Sequence, residues 1–456
     1  MHVHILGICG TFMGGIAVIA KQLGYRVTGS DANVYPPMST MLQEQGIEIM
    51  EGYGPEQLQP APDLIIVGNA MKRGIPCVEY MLNEGLPYIS GPQWLENYVL
   101  NTKKVIGVAG THGKTSTSSM VAWILEYAGL NPSFLIGGVT GNFGISARVT
   151  DSPFFVIESD EYDCAFFDKR SKFVHYRPFV QILNNLEYDH ADIFENIDAI
   201  KKQFHHLVRI IPGKGEIVAP YGDKAIDDVL KMGCWSNLVY TGKEGAELSY
   251  RLINTDGSSF EVLDKSGTSL GTVEWESIGI HNVLNALMAI EAAKYVGVAY
   301  ETAIRGLCDF RMPKRRMELK GVVNDIAVYD DFAHHPTAIK TTLDGLRKKV
   351  GADKRIIAVF EPRSNTMKMG VNHEQLADSL AIADEIYMYA PDGLKWNTDE
   401  LADGHKFNVC HDFEAMVKAI TASAQPGNVI LVMSNGGFGG IQNRLLAELA
   451  EKQKAG

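Results

Sequence analysis

The stretch Lys104-Val105-Ile106-Gly107-Val108-Ala109-Gly110-Thr111-His112-Gly113-Lys114-Thr115-Ser116-Thr117 decides how the chain is read. A β-branched run enters a glycine-rich turn that ends in Gly113-Lys114-Thr115. Apolar residues Met120, Val121, Trp123, Ile124 and Tyr127 then recur at helical spacing as far as Gly129. Strand, glycine loop and helix in that order form the context of a phosphate-binding loop. The glycines let backbone N–H groups approach a polyphosphate, Lys114 adds a point charge, and the Thr115 hydroxyl reaches a nucleotide-bound Mg²⁺. The usual loop has a glycine five residues before its Gly-Lys pair. Here Val108 holds that place, and glycines fall at Gly107 and Gly110. The competing reading is a solvated turn.

At 456 residues the chain is long enough for about three domains. A net charge of -12 disfavours nucleic acid or an anionic membrane surface as the main partner. The six cysteines are scattered without a Cys-x-x-Cys pair, which fits buried thiols in a reducing compartment better than a disulfide framework or a zinc site. Residues 5–20 are apolar, but they lack a basic flank and are broken by glycines, so a βα turn explains them better than a signal peptide. No other stretch is long and apolar enough to cross a bilayer, and a cytoplasmic location is expected.

Outward from the loop, the N-terminal side opens with a strand at residues 2–6. A glycine-rich turn over residues 7–15 follows, then a helix over 16–23, then a second strand followed by Asp31. This is a Rossmann-like opening. Cys9 and Phe12 interrupt the strict G-x-G-x-x-G spacing, so a site for some diphosphate is favoured over a redox dinucleotide, with a purely packing turn as the alternative. A further strand ends at Asn69-Ala70, and the polar run Asn101-Thr102-Lys103 marks a boundary. The first domain is placed at 1–102.

On the C-terminal side, the apolar strand ending at Ile157 runs into Glu158-Ser159-Asp160-Glu161-Tyr162-Asp163. Carboxylates at a strand end commonly hold the Mg²⁺ of a nucleotide; an acidic solvated loop is the alternative. His190 also lies just past a strand end. His205 and His206 are adjacent on a helix and read as packing or surface residues. Residues 215–276 read as a small antiparallel addition. Asn282 and Asn285 share one helix face, suited either to an adenine edge or to capping. The domain containing the loop is placed at 103–311.

The last domain, 312–456, opens on the basic run Arg311-Met312-Pro313-Lys314-Arg315-Arg316, either a solvated linker or an arginine clamp for a transferred phosphoryl group. Asp330-Asp331-Phe332-Ala333-His334-His335-Pro336 ends a strand and starts a helix. Two further strands end in Glu361-Pro362-Arg363-Ser364-Asn365-Thr366 and in Ser434-Asn435-Gly436-Gly437. Polar residues gathered past strand ends suggest substrate recognition. The expected fold is α/β: a Rossmann-like N-terminal domain, a central P-loop ATPase domain with a parallel sheet and a small antiparallel addition, and a C-terminal Rossmann-like domain.

Taken together, these motifs resemble the Mur ligases, ATP-dependent enzymes that add amino acids or peptides to a UDP-N-acetylmuramate precursor. The likeness rests on Gly110-Thr111-His112-Gly113-Lys114-Thr115 with its missing first glycine, Glu158-Ser159-Asp160-Glu161, and the Asn-x-Glu-x-Asp-His run ending at His190. It rests equally on His281-Asn282-x-x-Asn285, Arg315-Arg316 and Asp330-Asp331-x-x-His334-His335-Pro336. It covers essentially the whole chain. The first glycine loop and His334-His335-Pro336 are most similar to the branch that acts on UDP-N-acetylmuramate itself. The segments 161–170, 361–368 and 434–440 are similar to ligases of that branch that join the recovered murein tripeptide L-alanyl-γ-D-glutamyl-meso-diaminopimelate. The alternative is addition of free L-alanine.

The resemblance implies roles position by position. Gly110, Thr111, His112, Gly113, Lys114, Thr115 and Ser116 hold the ATP phosphates. Asn282 and Asn285 contact the nucleotide, Arg316 its γ-phosphate and Asp331 its ribose. Thr115 and Glu158 ligate one Mg²⁺ and His190 a second. Gly10, Thr11, Phe12, Met13, Gly14 and Asn69 bind the UDP-sugar. Arg363, Asn365, Ser434 and Asn435 are assigned to the peptide from charge and position. Some family members use a carbamylated lysine downstream of the histidine; Lys201 and Lys202 fall earlier than such a residue should. The implied setting is peptidoglycan recycling, and through it cell-wall biogenesis, cell shape and division.

Overall fold

Runs such as Val429–Met433 and Ile356–Phe360 are apolar at every position and buried at every position, as strands of a parallel sheet covered on both faces must be. The computed structural model describes residues 1–34, 38–402 and 406–455. Over these residues the fold is α/β, as expected from the sequence, and its main strands form three sheets.

The first sheet is wholly parallel, in the order Glu48–Glu51, Arg26–Asp31, His2–Leu6, Leu64–Val67, Tyr88–Ser90. The second has ten strands. Lys104–Ala109 lies at its centre between Phe154–Glu158 and Val180–Leu183, all parallel. The antiparallel addition expected over 215–276 is shorter: Glu216–Pro220 and Asn237–Thr241, joined by the helix Lys224–Lys231, extend the parallel sheet, and only Leu248–Leu252, Ser259–Asp264 and Ser269–Glu274 at one edge are antiparallel. The third sheet has six strands, parallel except for the edge strand Glu318–Val323. All three place their loops at strand C-terminal ends, where α/β sheets bind ligands.

The helix Lys114–Tyr127 is nearly all buried and packs against Ile280–Tyr295, so neither shows a strong polar face. Shorter helices begin at side-chain caps: Ser90 accepts from the Gln93 N–H, Asn196 from Ala199 and Ser364 from Met367.

Another expectation is corrected. The glycine-rich residues 7–15 are not all turn, because the first helix begins at Thr11 and runs to Gln22. Glycine is a poor helix former, so sequence pattern alone ends the turn too late. Tertiary packing overrides that preference. A Cβ on Gly15 would lie 2.2 Å from Leu135 Cδ1 of the second sheet, and one on Gly14 2.7 Å from Met38 Sδ. The glycines are there for close approach between elements.

Gly29 shows the same constraint within a strand. Its added Cβ would meet Ile8 Cδ1 at 2.4 Å and the Ile5 carbonyl oxygen at 2.8 Å. Gly29→Val is expected to destabilise the protein by roughly 1–3 kcal/mol or more, measured as a fall in the melting temperature of the purified chain.

Candidate active site

The strand Lys104–Ala109 continues straight through Val108, which is fully buried and paired with Ile182 and Glu158. The loop therefore starts only at Gly110, and no glycine is needed at position 108. Gly110 has φ +149° and Gly113 φ +77°. A Cβ on Gly113 would lie 2.4 Å from Asn184 Nδ2. The neighbouring strand Val180–Leu183 delivers Asn184 and Asn185 beneath the loop. The His112 N–H donates to Asn185 Oδ1 (2.8 Å), and the His112 carbonyl accepts from Asn184 (2.8 Å) and Asn185 (3.0 Å). The loop is thus held in shape by its own scaffold.

Lys114 donates to the Gly110 carbonyl (2.6 Å) and to Glu161 (3.1 Å). Glu161 is 3% exposed and also meets His190 Nε2 at 2.9 Å, while the other ring nitrogen of His190 lies 2.6 Å from the Tyr162 hydroxyl. Burial works against the Glu161 carboxylate, but Lys114 and the His190 hydrogen bond outweigh it and hold its pKa below the ordinary value. Burial likewise opposes the His190 charge, and Glu161 outweighs it, raising the imidazole pKa. Glu158 accepts from the Thr115 hydroxyl (3.0 Å) and the Gly137 N–H (2.8 Å). No cationic side chain lies within 4.0 Å of the Glu158 carboxylate among the described residues.

The opposite wall comes from the third sheet. Arg315 has φ +62° and Met317 φ +50°, and Arg315 lies 5.4 Å from the centre of the Phe332 ring. Arg315 donates to the Ser434 carbonyl (2.6 Å) and pairs with Asp330 (3.2 Å). Arg316 lies over the Phe332 ring at 4.9 Å and faces the cleft. Burial lowers its pKa, opposed by Asp331 and Glu158. Asp331 accepts from the Met317 and Ala333 N–H groups, both at 2.8 Å, so its carboxylate already organises this turn.

A cleft of about 1090 Å³ between the second and third sheets gathers Thr111, His112, Gly113, Lys114, Thr115, Ser116, Glu158, His190, Asn282, Asn285, Arg316 and Asp331. Of the residues assigned to ATP, Gly110 is outside this lining and shapes the loop behind it. Asn282 and Asn285 are buried, and part of their bonding turns inward: Asn285 Oδ1 accepts from Asn184 (3.0 Å) and Asn282 donates to the Ile278 carbonyl (2.7 Å).

A smaller cavity of about 240 Å³ adjoins the cleft and is lined by Tyr162, Asp189, His190, Asp192, His334, Arg363, Asn365 and Asn435. It brings together three of the four residues assigned to the peptide. Ser434 is fully buried beneath it, its hydroxyl donating to Glu361 (2.7 Å).

The first-sheet residues are less gathered. Gly10 caps the first helix, Thr11 and Asn69 are exposed, and Phe12 carries Lys172 over its ring at 4.9 Å. Met13 points into the core, and Gly14 packs on Met38. Asp31 accepts from the Cys9 and Asn33 N–H groups, both at 2.9 Å, and so fixes the glycine turn. Lys201 pairs with Asp228 (2.9 Å), and neither lines the cleft.

Family models match almost end to end: the Mur ligase family catalytic domain over residues 2–102, the Mur ligase middle domain over 108–293, and the Mur ligase glutamate ligase domain over 315–436. The chain belongs to the Mur ligase family. It is 56% identical over 457 residues to an Escherichia coli (strain K12) protein named UDP-N-acetylmuramate--L-alanyl-gamma-D-glutamyl-meso-2,6-diaminoheptandioate ligase, covering 100% of both chains. A crystal structure of a murein peptide ligase from Psychrobacter arcticus 273-4 superposes with a TM-score of 0.76 at 50% identity, covering 99% of each chain. A UDP-N-acetylmuramate--L-alanine ligase of Clostridium acetobutylicum is 30% identical over 95% of each chain.

In this Mur ligase, sequence reasoning left three cleft residues and one buried behind them without an individual role. Glu161 partners Lys114, Asn184 and Asn185 scaffold the loop, and Glu187 meets His112 Nε2 at 3.0 Å. A usable signal was present: all four stand within a few residues past strands that flank the loop strand, where side chains converge on it.

Proposed function

We propose that this Mur ligase joins L-alanyl-γ-D-glutamyl-meso-diaminopimelate to UDP-N-acetylmuramate with hydrolysis of ATP to ADP and phosphate. The observation that carries this reading is the 56% identity, over both full lengths, to the E. coli ligase of that name, against 30% to an L-alanine ligase. Residues 1–102 hold the UDP-sugar, 103–311 the ATP, and 312–456 the peptide.

The lactyl carboxylate oxygen attacks the γ-phosphorus of ATP, ADP leaves, and an acyl phosphate forms. The peptide amine then attacks the acyl carbon and phosphate departs. Lys114 shifts from Glu161 to the β- and γ-phosphates, and the loop N–H groups cradle them. Arg316, on the far wall, meets the charge developing on the transferred group. A carboxylate without a cationic partner beside a hydroxyl suits a hard divalent ion, so Thr115 and Glu158 fit one Mg²⁺. His190 faces the same cleft and would hold a second once Nε2, here 2.9 Å from Glu161, gives up that partner and its proton. Bound Mg²⁺ neutralises the crowded negative charge between carboxylate and polyphosphate. No side-chain nucleophile is required. Arg363, Asn365 and Asn435 receive the peptide, with Ser434 supporting them from beneath. The work is that of a cytoplasmic enzyme of peptidoglycan recycling.

The test is an assay with UDP-N-acetylmuramate, ATP, Mg²⁺ and a panel of amines, read by product mass. The expected product carries the tripeptide. Turnover with free L-alanine and none with tripeptide would overturn the assignment.

A further inference from the structure

We propose that Glu187 is a positioning residue that couples the phosphate loop to the seating of the C-terminal sheet over the cleft. The inference rests on the reading of that loop as the ATP site. Glu187 is tied to the loop twice. Its N–H donates to Thr111 Oγ1 (2.8 Å), and its Oε2 lies 3.0 Å from His112 Nε2. The same carboxylate reaches across the cleft, where Oε1 accepts from the Thr337 hydroxyl at 3.1 Å.

Thr337 stands in the first turn of the helix Pro336–Val350, whose Ala338, Thr341 and Thr342 line the cleft. His335, the cap of that helix, places Nδ1 3.4 Å from Glu187 Oε2, and its ring lies 4.6 Å from that of His112. One carboxylate therefore touches the loop that would grip the phosphates and the helix that forms the opposing wall. A phosphate in the loop constrains His112. Glu187 passes that constraint to Thr337 and so to the wall carrying Arg316 and the peptide cavity. Contacts at the small cavity, such as Thr366 Oγ1 to Asp189 (2.8 Å), join the same two sheets without touching the loop.

The Glu187 side chain is 37% exposed, so truncation leaves no sealed void. Glu187→Ala is expected to lower kcat by roughly tenfold or more, since small misplacements of reacting groups are costly. The Kd for a non-hydrolysable ATP analogue should move less than about threefold, and the melting temperature less than about 2 °C. Glu187→Gln, which can still accept from Thr337, should recover part of kcat. Thr337→Val should lower kcat in the same way, and the double variant Glu187→Ala/Thr337→Val should be no worse than Glu187→Ala alone.

Multiplying losses, or a rise in analogue Kd equal to the fall in kcat, would overturn the proposal, because Glu187 would then serve the loop alone. A wild-type chain that binds no ATP analogue would instead remove the underlying nucleotide reading.

Discussion

Replacing Lys114 by methionine lowers kcat by about 10³-fold or more and, as a separate effect, lowers the melting temperature. The first effect follows from the position of the ammonium group in the loop, held 2.6 Å from the Gly110 carbonyl and lining the cleft read as the ATP site. The second follows from Glu161, which is 3% exposed and depends on Lys114 at 3.1 Å and His190 at 2.9 Å. Removing Lys114 leaves the buried Glu161 carboxylate with His190 as its one remaining charged partner, a loss of about 1–3 kcal/mol. The double variant Lys114→Met/Glu161→Gln removes both charges. It should regain most of the melting temperature and none of the activity. Calorimetry together with ADP release separates the two effects. A double variant as unstable as Lys114→Met would show that the ion pair does not set the stability of this region.

That pairing also shows what was legible in the sequence. Lys114, Thr115 and Glu158 are recognisable because phosphate loops and strand-end carboxylates impose short-range patterns, and the structure brings all three to one cleft. The alternation of apolar strands and helices gave the α/β fold for the same reason. Glu161 stands in a run of acids, and nothing local distinguishes the carboxylate that partners Lys114 from its neighbours Asp160 and Asp163. That choice depends on how the chain turns after Glu158: Asp160 is taken by Lys172 (3.0 Å) and Asp163 by Lys169 (2.6 Å).

The first helix illustrates a different barrier. Its glycines at 14 and 15 answer to Met38 and Leu135, residues far off in sequence, so local propensity assigns them to a turn. Asp31 and Asp331 mark a third. Both are acids at strand ends, the second given the ribose by the family resemblance, and both carboxylates bind nearby backbone N–H groups that only the folded turn presents.

Arg316→Lys is the second substitution of large expected effect, and it tests the wall facing the loop. Arg316 lies over the Phe332 ring at 4.9 Å and is half-buried, with Asp331 and Glu158 as the opposing charges nearby. A planar guanidinium can stack on the ring and present two N–H groups to a phosphoryl oxygen together; an ammonium on a flexible stem does neither. The interaction matters most when negative charge moves between the attacking and leaving oxygens, so the loss falls on the chemical step. Trapping the acyl phosphate with hydroxylamine in a single turnover should show phosphoryl transfer slowed by about 10²-fold, with the Kd for ATP within about threefold of the parent. The fold should survive, because Asp331 keeps its two backbone donors after the change and no buried acceptor is orphaned. A variant that transfers at the parental rate but binds ATP weakly would place Arg316 with ground-state binding, and the transition-state role would then fall to Lys114 and the loop N–H groups.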